Sequence, residues 1–411
     1  MKLFVKKISL VFIVFLGVFS GCNKDEEVER TNIYIGAMLP LTGAGASVGE
    51  SAYAAIQLAV EDIQASLTAR GIKANVAVFI EDTETNPDVA AQKISSFTNL
   101  GVNICIGPYS SSNVSAVKAY ADNNDLLIVS PASVSTSLAI HGDNIFRLVP
   151  SDFSQGEAMA ALLEDDGIEL LLPIIRDDLW GNELLVAITQ FFSNSSTHVG
   201  EAVKYPTTAD DFTNYIDDLK TKLTEALIYH PAGEVGISLL SFGESVEILR
   251  MASQDSIFNA VKWYGSSGFA NLSTLPDDND AASFAMNQDL ACPTFGYDES
   301  AADKWQPLLA RLNNILGRTP EIYAFTTYDA VWLAAETILA LNDSAGIESV
   351  KSTFTNIANS MDGVSGNTSL NVVGDRAYAT YDFWGIQNLG NQFNWERVAR
   401  YNNETGTLER Y

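Results

Sequence analysis

Histidine is almost absent from this chain, with three in 411 residues: His141, His198 and His230. That leaves little material for a metal site built from imidazoles or for a triad whose general base is histidine. Cysteine is as scarce, at Cys22, Cys105 and Cys292, but a chain of this length can bury a core without disulfides. Basic residues are few: 24 Lys and Arg stand against 51 Asp and Glu, a net charge of −27. A surface so negative repels phosphate backbones, which excludes nucleic acid as a partner. Long apolar runs are missing after the first thirty residues, so no later segment reaches the roughly 20 residues of a membrane span. What is plentiful is apolar residues, 47% of the chain, which rules out disorder. At about 150 residues per domain the length predicts two or three domains.

The N-terminus is the one region of opposite charge. Lys2, Lys6 and Lys7 precede an uncharged run from Ile8 to Phe19, closed by Ser20-Gly21 and then Cys22. A basic start, a short apolar stretch and small residues read as an export signal, too short to span a bilayer. Phe19-Ser20-Gly21-Cys22 resembles a bacterial lipoprotein box, with Phe where Leu is usual. The resemblance implies cleavage after residue 21 and a diacylglycerol thioether on Cys22; the simpler alternative is a plain secretory signal with an incidental cysteine. Two or more acyl chains hold a protein stably on a membrane. The charged stretch 22–31 has no apolar period and reads as a solvated tether. Cys105, in a short apolar run, reads as a buried inert thiol; a bridge to Cys292 is the alternative, which spacing alone does not decide.

From Asn32 onward short apolar runs alternate with helical patterns. Ile33 to Leu39 is the first run, and Ile56, Val60, Ile63 and Leu67 then mark a helix stripe. Asn86-Pro87 is an N-cap followed by proline at the first helical position, opening a helix to about Leu100. Further strands are expected at Val76–Ile80, Val102–Ile106, Leu126–Val129, Ile145–Val149, Ile168–Ile175, Val199–Lys204, Val235–Leu240 and Val261–Tyr264. Strands alternating with helices predict an α/β fold with parallel sheets covered on both faces. The pattern restarts near Ser151, so the expectation is two Rossmann-like lobes. The later stretches at Ala301–Leu316 and Asp329–Leu341 read as helices, Tyr378–Ile386 and Glu396–Tyr401 as strands.

Some motifs suggest chemistry. Gly45-Ala46-Ser47-Val48-Gly49 fits the nucleophile-elbow pattern between a strand and a helix. It follows the first strand after the signal, whereas an elbow follows a central one, and no histidine lies late in the chain to serve as base, so a hydrolase using Ser47 is a remote alternative. The same glycines imitate a dinucleotide fingerprint, but the acids Glu81 and Asp82 come more than thirty residues after Gly49, where about 20 is expected. Acidic pairs such as Asp210-Asp211 and Asp217-Asp218 lack calcium-loop spacing and read as solvated surface. No catalytic residue, cofactor or metal is expected.

The ordered set Ile35 to Gly43, Ile106-Gly107-Pro108-Tyr109-Ser110-Ser111, Val129-Ser130-Pro131-Ala132-Ser133, Phe146 to Asp152, Gln155-Gly156, Asp177-Asp178-Leu179-Trp180-Gly181 and Tyr328-Asp329-Ala330 resembles the periplasmic-binding-protein type I family, in particular the branched-chain-amino-acid-type substrate-binding proteins of ABC importers. The resemblance covers about 32–408. It implies two lobes joined by a three-strand hinge, the first lobe spanning 32–149 plus about 276–345 and the second 150–275 plus about 346–411, with a ligand between them. A ligand carboxylate would be met by Ser110, Ser111 and the Ala132-Ser133-Val134 turn, with helix capping as the alternative role for the two serines. Trp180 and Phe242 would offer an apolar wall, and Ser47 lies on the loop at the cleft rim.

Departures from the family bear on the ligand. An acid for an α-ammonium is usual near Ser267, and Val134 stands where amino-acid binders often have Thr. Either another carboxylate substitutes, such as Asp177 or Glu244, or the ligand is not an α-amino acid, which is the expectation here. The resemblance implies a lipid-anchored receptor on the periplasmic or extracellular side of the cell membrane. It would bind a small polar solute, an amino acid or related carboxylate or amide, and deliver it to the permease subunits of an ABC importer, without catalysis. A ligand sensor of the same fold without transport is the rival from another class.

Overall fold

The computed structural model describes residues 31–341, 345–377 and 380–411; the signal, the tether and Cys22 lie outside the described residues. Strands β1 (Thr31–Leu39), β2 (Ala74–Asp82), β3 (Ile104–Ile106), β4 (Leu127–Ser130) and β5 (Ile145–Arg147) form one parallel sheet in the order β2-β1-β3-β4-β5. Strands β6 (Leu170–Asp177), β7 (His198–Val199), β8 (Val203–Pro206), β9 (Val235–Leu240) and β10 (Lys262–Tyr264) form a second, ordered β10-β9-β6-β7 with β8 also on β6, again parallel. Both sheets carry helices on their faces, so their strands are buried on both sides and read as short apolar runs. The fold class is the expected α/β arrangement of two parallel sheets.

Local chemistry explains the elements. Asn86 Oδ1 accepts the Asp88 and Val89 N–H groups at 2.9 and 3.4 Å, capping the helix Pro87–Lys93. That helix ends at Ile94 and a second, Ser95–Asn99, follows, so the single helix expected to Leu100 is two short ones. The expected strand Val199–Lys204 is likewise divided into β7 and β8. Gly200 N–H bonds back to Leu171 O at 2.8 Å, which holds the chain to β6 through the interruption.

Core packing sets the partition differently from the boundaries expected at 276 and 345. The helix Asn279–Asn287 buries Ala281, Ala282, Phe284 and Ala285 in the core of the second sheet. The helix Ile347–Ala358 buries Val350, Phe354 and Ala358 in the core of the first. Both helices are amphipathic, and a stripe shows that a helix has a buried face without showing which sheet it meets. The strands Cys292–Phe295, Thr380–Leu389, Gln392–Asn402 and Thr407–Arg410 form an antiparallel sheet, whose Phe383 and Tyr401 join the apolar cluster around the helix Leu179–Phe192. Cys105 and Cys292 are both buried and free, in different clusters; burial pushes each thiol well above its ordinary value, the inert state.

Candidate ligand site between the two sheets

Parallel sheets end their strands on one side, and here both sheets direct those ends at each other. Pro40 follows β1, Thr85 follows β2, Tyr109 to Ser111 follow β3, Ala132 and Val134 follow β4, Trp180 follows β6, Phe242 follows β9, and Ser267 follows β10. All of them line one cavity, which is partly open to solvent. A crevice outside the carboxyl ends of parallel strands is where ligands of open α/β sheets bind.

Of the residues singled out from the sequence, Ser47, Ser110, Ser111, Ala132, Val134, Trp180, Phe242 and Ser267 line this cavity. Ser133 does not. It is buried behind the wall, its hydroxyl 3.0 Å from Ser111 Oγ and its N–H bonded to Ser130 Oγ at 3.0 Å. Thr85, Tyr109, Asn113, Leu272 and Tyr323 line the cavity too and were not anticipated. Asn113 lies one helical turn beyond Ser110, so the spacing held a signal for it; Leu272 and Tyr323 come from segments without any recognisable motif.

The first wall is a helix N-terminus. Ser110 caps the helix Ser111–Asn123 by accepting the Asn113 N–H at 3.3 Å, and no acidic residue occupies its first turn. The first N–H groups of a helix have no intrahelical partner and favour an anion. Capping and cavity lining therefore coincide at Ser110. Asn113 is 1% exposed, and its Oδ1 has no hydrogen-bond partner among the described residues.

The opposite wall is aromatic. Trp180 and Phe242 stack at 4.7 Å between centroids and 25° between planes, with the Arg176 guanidinium 4.9 Å from the Phe242 centroid on this stack. Gly268 lets the chain pass close by, since a Cβ there would come within 2.3 Å of Ser241 O and 2.7 Å of Trp180 Cη2. Burial pushes the Tyr323 hydroxyl up to about 12, so it stays a neutral phenol at neutral pH. The lining includes no Asp, Glu, Lys, Arg or His. Neither acid named as a substitute ammonium partner reaches it: Glu244 binds Arg176 Nη1 at 2.7 Å and Tyr205 OH at 3.2 Å, and Asp177 accepts Asn182 Nδ2 at 2.9 Å.

The glycines of the first loop serve close packing. Gly43 has φ +81°, and a Cβ at Gly49 would lie 2.2 Å from Pro40 O, which brings the loop against the start of the helix Ala46–Ala69. Ser47, in the first turn of that helix, donates to Glu321 and lies 3.0 Å from Ser273 Oγ. Its hydroxyl is held by a carboxylate with no histidine beside it, an arrangement without the base an elbow nucleophile requires.

Among the described residues, several contacts bridge the two sides of the cleft directly. Gly243 N–H donates to Ala44 O at 3.3 Å, Ser47 meets Ser273, and Glu183 on the helix Leu179–Phe192 accepts from the Ser135 hydroxyl, from Thr136 Oγ1 at 3.1 Å and from Ser137 N at 3.0 Å. Burial alone would raise the Glu183 carboxyl, but the hydrogen bonds from Ser135, Ser137 and Thr136 outweigh it and hold the group below its ordinary value. A carboxyl lowered in this state stabilises it above the ordinary pKa and ceases to do so as the pH falls through the lowered one. Glu183→Ala should therefore open the cleft: small-angle scattering of the ligand-free variant is expected to show a larger radius of gyration, and wild type should approach that value on acidification below the ordinary carboxylate range. An unchanged radius in both cases would sink the latch.

Comparison with known proteins comes to the same arrangement. The model of the family described as "Receptor family ligand binding region" matches residues 51–388, more than half of the chain. An uncharacterized protein of Methanocaldococcus jannaschii is 23% identical over 421 residues, covering 96% of this chain and 98% of that one. The crystal structure of a leucine binding protein from Thermotoga maritima superposes with a TM-score of 0.74 at 19% identity, covering 91% of this chain and 99% of the other. A solute binding protein of an ABC transporter from Rhodopseudomonas palustris, in complex with 3,4-dihydroxy benzoic acid, gives 0.71 at 18% identity, covering 90% and 97%.

Proposed function

From the premise that the chain belongs to the family of receptor ligand-binding regions, a family of binding rather than catalytic proteins, we propose that it captures a small monocarboxylic acid with an apolar or aromatic body and no ammonium group, and delivers it to the membrane subunits of an ABC importer. The observation that carries the reading is the lining: a helix N-terminus and hydroxyls on one side, a Trp180–Phe242 stack on the other, and no charged side chain between them. A carboxylate is met by N–H groups and hydroxyls. An ammonium buried in the same place would lack a charged partner, at a cost of several kcal/mol. The relatives that name a solute binding protein of an ABC transporter and a leucine binding protein support the transport role. The signal and Cys22 support delivery from the outer face of the membrane, held there by lipid. Closure of the two lobes desolvates the ligand and presents a surface that the open form lacks, which is how binding is reported to a permease.

A thermal-shift panel tests the ligand class. Aromatic and branched aliphatic monocarboxylates, the amino acids with the same side chains, amides and sugars are compared. Ligand at about 100 times its Kd adds roughly 2.7 kcal/mol, which at about 2 to 4 °C per kcal/mol is a rise of several degrees. The monocarboxylates are expected to raise the melt and their amino-acid counterparts to leave it unmoved. Amino acids shifting the melt while the matching acids do not would overturn the charge argument.

A further inference from the structure

The cleft lies beyond the carboxyl ends of the strands, and a second polar cluster lies where three strands of the second sheet begin. Glu169 directly precedes β6, Glu234 directly precedes β9, and His198 is the first residue of β7. Parallel pairing sets them side by side: Leu170 is opposite both Val235 and His198, Glu169 N donates to Glu234 O at 2.7 Å, and His198 N donates to Glu169 O at 2.8 Å. His230 is the C-cap residue of the helix Thr213–Tyr229, from which the chain turns through Pro231 toward β9. The ligating atoms of Glu169, His230 and Glu234 all lie within 4.8 Å of one another, and the His198 ring is centred 5.9 Å from that of His230. Among the described residues none of these four side chains takes part in a hydrogen bond or ion pair.

We propose that Glu169, His230 and Glu234, with His198 as a fourth donor, form a site for a divalent transition-metal ion of the zinc class. Two carboxylate oxygens and neutral imidazole nitrogens are the donor set that such a borderline ion takes. Calcium and magnesium ask instead for shells of oxygen ligands. The two carboxylates lie beside each other near the C-terminal end of a helix, a place that attracts a cation. A dication would tie three strand beginnings to one helix end. The scarcity of histidine argued against such a site from the sequence; the fold, however, brings two of the three histidines together from 32 residues apart in the chain.

Untagged protein, stripped with chelator and titrated with zinc against a chromophoric competitor, tests the site. One zinc per chain is expected. His230→Ala and Glu234→Gln should each weaken it by at least roughly tenfold, the effect of disturbing a metal ligand set, whereas His141→Ala, which removes the histidine outside the cluster, should leave it unchanged. Zinc should also raise the melting temperature of wild type and of His141→Ala but not of His230→Ala. Circular dichroism checks that each variant is folded, and Glu169→Gln serves in place of any that is not. Zinc binding that persists in the cluster variants, or that is spread over several weak sites untouched by them, would overturn the proposal.

Discussion

Trp180→Ala should lose both ligand affinity and stability, by separable amounts. Trp180 is 3% exposed and sits in the core around its own helix while also lining the cavity. Truncating a buried tryptophan leaves a void and costs about 3 to 5 kcal/mol, read as a lower denaturant midpoint in ligand-free protein. For the ligand, the loss is the aromatic contact that Trp180 gives the cavity wall, worth about 0.5 to 1.5 kcal/mol. That corresponds to roughly 2- to 12-fold in affinity. Trp180→Phe separates the two. It keeps a ring against Phe242 and should retain most of the affinity while still losing stability from the smaller fill. Calorimetry with a monocarboxylate that shifts the wild-type melt gives the affinity. If Trp180→Ala binds that acid as tightly as wild type, the stack is core alone and the aromatic wall has no part in recognition.

The strands were legible because parallel strands buried on both faces appear as short uninterrupted apolar runs; Val235–Leu240 coincides with β9 for that reason. The cavity was legible where residues follow a strand end within a motif, as Ser110 and Ser111 do after β3 or Trp180 after β6. It was not legible at Tyr323 and Leu272, which reach the cavity from segments far away in sequence and carry no pattern of their own. Ser133 marks the opposite limit: its position after β4 was readable, but which way its side chain turns depends on Ser111 across the turn. The assignment of Asn279–Asn287 and Ile347–Ala358 to a lobe failed for a related reason, since amphipathic spacing specifies one buried face and leaves the partner open. The glycines at 43 and 49, readable as a flexible rim, are there for close backbone approach, which only the placement of Pro40 and Glu84 reveals.

The second large effect is expected at Arg147, which holds the crossover between the lobes. Its side chain is fully buried, and Nε and Nη2 each meet an oxygen of Asp375 at 2.5 Å in a bidentate pair. Nη1 also donates to Ser135 O at 2.5 Å, on the turn beyond β4 that carries the Glu183 latch. The backbone repeats the connection: Arg147 N donates to Gly374 O and Arg376 N to Arg147 O, each at 2.9 Å. Arg147→Ala leaves a buried carboxyl with neither charge nor donors opposite it, which costs about 3 to 5 kcal/mol, seen as a fall in denaturant midpoint. The loss should depend on pH. Burial already raises the Asp375 carboxyl above its ordinary value, against the pull of the Arg147 hydrogen bonds and charge, and removing Arg147 raises it further. A carboxyl whose folded pKa exceeds its unfolded one adds stability below the unfolded pKa and loses that contribution as the pH rises through the folded one. The gap between Arg147→Ala and wild type should therefore be widest near pH 8 and narrow toward pH 4. Adding Asp375→Leu should recover part of the loss at neutral pH, because an apolar pair can replace a buried ion pair at little cost. A gap independent of pH, with no recovery in the double variant, would mean that Arg147 acts through its packing and its bond to Ser135, and that the charge of Asp375 has no part in holding the crossover.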